Sequence, residues 1–301
     1  MTVLKERQSN DGQSQLAFGC NDVAWPRSLG LLGMHLGCLA VIWVGWSATS
    51  IAAAVFFYLL RAFALTAFYH RYFSHRAFKT TRWFQFVGGF VGVLAMQKGP
   101  LWWAAHHRQH HKETDQELDV HSPVTDSFWW AHVGWITAKQ HSSVRDHLIP
   151  DWMKFPELRW LDRNSLTVGL VFAVGLFGIG ELLASITPQL GTNGPMLLVW
   201  VFFVSTVALY HATYAVNSFA HRFGARRFES EDNSRNNLTV ALLTLGEGWH
   251  NNHHRYQSSA RQGFLWWEID ITYYVLVLLA QFRLIWDLRP VPPKLLKPEV
   301  S

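Results

Sequence analysis

The chain has 301 residues, of which only 16% are Asp, Glu, Lys or Arg, half are hydrophobic and 15% are aromatic. Soluble domains average about 25% charged residues, yet mean hydropathy here is only +0.05, so the apolar residues are gathered into blocks, which excludes disorder and points to a membrane protein with large polar parts. Two cysteines exclude a disulfide framework or a cysteine-held cluster, and the net charge of +5 comes without a basic stripe that would suit nucleic acid.

Residues 1–28 read as a polar tail, with no basic segment running straight into an apolar core as in a cleaved signal peptide. Apolar blocks follow at 29–46, 51–69, 83–96, 167–186, 196–216 and 271–282. A spanning helix needs about 20 residues at ~1.5 Å each. The third and sixth blocks would reach roughly 21 Å or less and are expected to be interfacial or buried. The predicted fold is all-α and membrane-embedded, with four transmembrane helices in two hairpins and a polar helical cap. The membrane domain covers 29–286 and a C-terminal tail 287–301. Of the 26 Lys and Arg, three fall in the N-terminal tail, twelve in 71–166 and ten after 221, with Arg61 alone inside a block. The connections 47–50 and 187–195 hold none. The positive-inside rule therefore puts the cap and both termini in the cytoplasm. His35, Arg61, Glu181 and His211, the polar residues of the blocks, are expected to pack rather than ligate.

Sixteen histidines are the anomaly. They cluster as HRYFSH at 70–75, HHRQHH at 106–111 and HNNHH at 250–254. Neutral imidazole is the commonest metal ligand. Residues at i, i+3 and i+4 share a helix face, so His107, His110 and His111 should aim at one point, and His250, His253 and His254 likewise. His106 falls at the edge of its face and is expected to be a neighbour only. His70 and His75 lie about 140° apart on an α-helix, so they are expected to straddle a helix end. With four spans and a short third block, all three clusters meet on one membrane surface. A histidine-rich metal transporter is a rival reading, but transporters place polar ligands near the midplane, whereas these clusters sit at helix ends.

At these residues the sequence resembles the membrane fatty acid desaturases of the Δ9 acyl-CoA and acyl-lipid type. The resemblance runs over about 51–254 and includes the three clusters, QKGPLWW at 97–103, HVGW at 132–135, NSFAH at 217–221 and GEGWHNNHH at 246–254. It implies a di-iron centre, two Fe2+ ions held by His70, His75, His107, His110, His111, His221, His250, His253 and His254, with Asn217 close to one iron through water. The implied reaction takes O2, two electrons and a saturated long-chain acyl group to a cis double bond, at Δ9, and water. Side chains cannot oxidise an unactivated methylene pair, so a metal must activate O2.

The implied partners are an acyl-CoA or lipid-bound acyl chain, the bilayer, and a separate electron donor. That donor would be ferredoxin-like or cytochrome b5-like with its reductase, since no cytochrome b5-like segment is present. Phe68, Trp103, Trp135 and Trp249 are candidates for a substrate tunnel that fixes which carbons react. Glu113, Asp115, Asp119 and Glu247 are candidates to orient the histidines. The stretch 97–105 departs from the animal acyl-CoA type and reads closer to acyl-lipid forms. A related di-iron fatty acid or alkane hydroxylase would share the metal and leave an alcohol.

His211 and His221 lie about 15 Å apart along a helix, too far to serve one small site. His211 is inside an apolar block, whereas His221 precedes Arg222, Arg226 and Arg227. His221 is the expected ligand, with Asn217 one turn earlier on the same face.

Overall fold

The computed structural model describes residues 22–296; the remainder of both tails lies outside the described residues. Four helices are long and apolar enough to span a membrane: Trp25–Val44, Ala48–Ser74, Ser165–Ile186 and Gly194–His221. They form two antiparallel hairpins with short links at one end. Gly45, at φ +67°, turns the first link, and Ser47 with Ser50 forms a reciprocal cap on the second span. In the other link Gly191 is left-handed, and Asn193 accepts from the Met196 amide. Glu181 accepts from the Gly194 N–H at 3.0 Å, so this carboxylate caps the fourth span.

The helices outrun the apolar blocks. Span one starts at Trp25, because Pro26 favours the first helical turn, so residues 25–28 are helix rather than tail. Span two continues to Ser74 and span four to His221. Both carry polar residues past the apolar block towards the cap.

The short apolar segments do not cross. Helix Arg82–Val93 packs on the end of span two, where a Cβ at Gly88 or Gly92 would strike the rings of Phe68 or Tyr69. The glycines that interrupt this block are what permit the approach. Helix Ile271–Gln281, about 17 Å long, lies against span two through a 2.8 Å hydroxyl contact between Thr272 and Thr66. A two-stranded ribbon pairs Lys79–Thr80 (β1) with Ile285–Trp286 (β2). Beyond it the Arg289 N–H donates to Ala77 O, and Val291 and Leu295 are buried. The described part of the C-terminal tail is thus packed onto the cap.

Arg61 is fully buried between spans two and four. Its five N–H groups reach Phe57 O, Leu94 O, Thr206 Oγ1, Val201 O and Ser205 Oγ at 2.5 to 3.2 Å. A guanidinium in an apolar bundle is tolerated only when its donors are satisfied, and here it ties the two hairpins together.

Candidate metal centre

Three local devices bring the histidines to the cap end of the bundle. The last eleven residues of span two, Ala64–Ser74, are π-helical. The i→i+5 bond of a π-helix places residues five apart on one face. The His75 N–H donates to His70 O, and the two rings lie 4.9 Å apart. His70 lies inside the helix and His75 is its C-cap residue, so the pair straddles the helix end as expected, with the π-helical turn bringing the two nearly perpendicular rings together. Helix Pro100–Lys112 is clamped by Arg108, whose guanidinium donates to Phe73 O, Ser74 O, Leu148 O and the Asp151 carboxylate. Helix His250–Arg255 is held by its buried asparagines. Asn251 Oδ1 accepts from the Arg227 and Phe228 amides, and Asn252 Nδ2 donates to Gln262 O and Glu268 Oε2.

The nine imidazoles converge as two groups whose ligand atoms lie within 4.8 Å of one another. His70, His75, His107, His111 and His253 form one; His110, His221, His250 and His254 form the other. Each of the two box helices divides its histidines. The i, i+4 pair His107 and His111 goes to the first group and His110 to the second, whereas His250 and His254 go to the second and His253 to the first. The expectation that each trio aims at a single point is thus replaced by a cross-over, which knits the two groups together.

In the first group, Nε2 atoms face each other at 2.9 to 3.0 Å in the pairs His70–His253, His75–His107 and His111–His253. His221 and His250 do so at 3.0 Å in the second. Carboxylates stand behind four rings. Glu247 faces His70 Nδ1, Asp119 faces His110 Nδ1 at 2.8 Å, Asp232 faces His254 Nδ1 at 2.8 Å, and Asp115 lies 3.4 Å from His221 Nδ1. A carboxylate at Nδ1 fixes the proton there and turns the Nε2 lone pair inward. The buried Nε2 atoms of His110 and His254 have no protein partner. Lone pairs gathered in this way fit a cation in each group.

The electrostatics agree. Burial, reinforced by the neighbouring imidazoles, holds His75, His107, His111, His250 and His253 well below the usual imidazole range, so they are neutral. Burial lowers His254 to about 4 against the pull of Asp232. For His110 the burial effect is outweighed by Asp119, and its value rises. Burial raises Asp115, Asp119, Asp232 and Glu247, but their partners win and all four are held below the carboxylate range. Neutral imidazole is the form that ligates.

Three of the four carboxylates expected to orient histidines lie at the centre. Glu113 does not; it pairs with Lys112 at 3.1 Å. Asp232 was not legible because it sits 22 residues before its histidine. Glu247 is itself fixed by Arg71, which also holds Asp270, and by Gln262. His121, also unforeseen, lies against His110, the tilted rings 4.2 Å apart between centroids, beside Asp119. His106 remains outside both groups, its Nδ1 bonded to Trp102 O. His211 lies in neither group and instead contacts His35 at 3.0 Å and His132 at 3.1 Å.

A cavity of about 840 Å³ runs from the cap into the bundle, within the usual range for a ligand site. His70, His107, His110 and His250 form part of its wall, as do Asn217, Trp103 and Trp135. Trp103 stacks on His107 with centroids 4.9 Å apart, and Trp135 stacks on Trp102 at 5.7 Å. Phe68 and Trp249 are elsewhere. Phe68 sits among Phe63, Phe78 and Phe84, and the Trp249 indole donates to Ile269 O.

The fatty acid desaturase family model matches residues 31–285. An acyl-CoA 5-desaturase of Anemone leveillei is 37% identical over 273 residues, covering 89% of this chain and 80% of that protein. An sn-1 stearoyl-lipid 9-desaturase of Anabaena variabilis is 33% identical over 262 residues, 85% of this chain and 90% of its own. An sn-2 palmitoyl-lipid 9-desaturase of Nostoc is 34% identical over 264 residues, with 86% and 87% covered. The chain is an oxidoreductase and belongs to the fatty acid desaturase family.

Proposed function

We propose that this protein is an O2-dependent desaturase that introduces a cis double bond, at Δ9, into a saturated long-chain acyl group. The observation that carries the reading is the pair of inward-facing imidazole groups in the wall of an apolar cavity. Two irons fit the groups, one held by His70, His75, His107, His111 and His253, the other by His110, His221, His250 and His254. When bound, they supply the activation of O2 that no side chain provides. Asn217 reaches the second group through a water. Trp103 and Trp135 flank the acyl chain, exclude bulk water and fix which methylenes face the centre. Glu247, Asp115, Asp119 and Asp232 keep the histidines in the ligating tautomer. The net reaction consumes two external electrons and two protons and releases two waters, so a separate ferredoxin-like or cytochrome b5-like donor docks from the cap side.

The lysine and arginine distribution supports a cytoplasmic cap and termini. Reporter fusions at Ser47 and Thr192 should then mark the side opposite to a fusion at Ser122; the same side for all three would defeat that orientation. The reaction is tested by expression in a strain lacking its own desaturases, followed by gas chromatography and mass spectrometry of the membrane lipids. A new monounsaturated chain with its bond at carbon 9 is expected. Hydroxylated chains would favour the hydroxylase reading, and a bond elsewhere would overturn the Δ9 assignment.

A further inference from the structure

The cavity wall contains residues that are also exposed on the outside of the helix bundle. Leu166 and Leu170, on the first turns of span three, line the cavity and are 63% and 53% exposed. On span one, Gly30 and Gly33 also line it. A Cβ built on either glycine meets nothing within 4 Å, whereas one at Gly37, a turn deeper, strikes the Phe203 ring. Span one packs on span four and span three on the start of span four, and neither is a main packing partner of the other. Among the described residues, a gap between spans one and three therefore leaves the cavity open sideways, near the cap end of both helices.

The rim of that gap is basic. Arg27, in the first turn of span one, and Lys98 both line the cavity. Among the described residues neither has an ion pair: the Arg27 guanidinium donates to Ile136 O and lies over the Trp102 ring, 5.7 Å away. The nearby Asp162 is engaged by the Leu101 and Trp102 amides. Two cations beside an apolar slot, one of them in the first turn of span one at its cap end, match the chemistry of a phospholipid, an anionic head joined to an acyl chain.

Resting on the desaturase reading, we propose that the substrate is an acyl chain still esterified in a membrane phospholipid. It enters sideways between Gly30 and Gly33 on one side and Leu166 and Leu170 on the other, with Arg27 and Lys98 holding the headgroup phosphate. A thioester carried in water would have to enter from the cap side instead.

The test uses iron-loaded protein in nanodiscs with a ferredoxin, its reductase and NADPH. One arm supplies phosphatidylglycerol bearing a deuterated stearoyl chain; the other supplies deuterated stearoyl-CoA to dioleoyl nanodiscs. Loss of two deuteria from the phospholipid is expected, at a rate at least tenfold that from the thioester. Gly30→Leu with Gly33→Leu, substitutions that favour a helix and fill open space, should cut the phospholipid rate at least tenfold. They should also abolish labelling of the cavity by a phospholipid with a photoreactive acyl chain, a readout independent of turnover. Arg27→Gln with Lys98→Gln should raise KM for phosphatidylglycerol more than it lowers kcat. Conversion of the thioester alone, or unchanged turnover and labelling in the glycine variant, would overturn the lateral portal. Conversion of neither substrate, with phospholipid labelling intact in the wild type, would instead overturn the desaturase reading on which the portal rests.

Discussion

The two imidazole groups are built on shared helices and differ in what stands behind them. The first has five rings and one carboxylate, Glu247 on His70. The second has four rings, three of them backed by Asp119, Asp115 and Asp232. A hydrogen bond from Nδ1–H to a carboxylate raises the basicity of the opposite nitrogen. With His110 and His254 bonded in this way at 2.8 Å and Asp115 lying 3.4 Å from His221 Nδ1, the second group offsets its smaller number of ligands with stronger ones. Each group lends two rings to the cavity wall, His70 and His107 from the first and His110 and His250 from the second, and Asn217 lines the same cavity. Ligand count alone therefore misjudges which half is the more strongly donating.

Removing one ligand should hurt the smaller group more. His221→Ala is expected to lose the second metal and to cut turnover at least ~100-fold, beyond the 10- to 100-fold range typical of orienting partners. His253→Ala leaves four rings in the first group and should retain more metal than His221→Ala does. Metal analysis of both purified variants checks the order, and the reverse order would break the comparison. His221→Ala with both metals and full activity would show that the ninth ligand lies elsewhere.

The orienting carboxylates come next in size. Asp232→Asn should lower metal affinity or activity roughly 10- to 100-fold while the fold persists. Glu247→Gln should act on the first group instead and also disturb Arg71, although Asp270 still holds that guanidinium. Titration of metal-depleted variants with ferrous iron distinguishes the affected half. Equal weakening of both groups by Asp232→Asn would argue against the separate roles.

Outside the ligand set, effects should be small. Asn217→Ala should slow turnover about fivefold, the worth of one hydrogen bond of about 1 kcal/mol. His211→Ala should keep most of its iron and some activity, because the contacts it removes, to His35, His132 and Tyr214, lie outside both imidazole groups. Thermal unfolding and iron content measured together would reveal an error: iron loss in His211→Ala would make this histidine chain part of the centre.

Much of this was legible because it depends on local chemistry. Long apolar blocks mark spans, and histidines at HxxHH spacing mark a metal site whatever the tertiary detail. What escaped the sequence was set by packing. The π-helical turn that joins His70 to His75 cannot be told from an α-helix by periodicity, and the cross-over of His110 and His253 needs both helices in place. Asp232 and Gln262 reach the site from loops. Phe68 and Trp249, aromatic residues close in sequence to the boxes, are equally consistent with a cavity wall or with ordinary packing. Arg61 is the converse case: a lone charge in an apolar block could be read as a packing residue, and its five hydrogen bonds show the form that packing takes.

The central claim is a pair of unlike metal sites, and iron loading read by Mössbauer spectroscopy tests it most directly. Metal-depleted protein reconstituted anaerobically with ferrous iron should bind two irons per chain, one for each imidazole group. The spectrum should resolve into two components of equal area, with Asp232→Asn shifting only one of them. Saturation at a single iron, or full activity with another metal in both groups, would contradict the account.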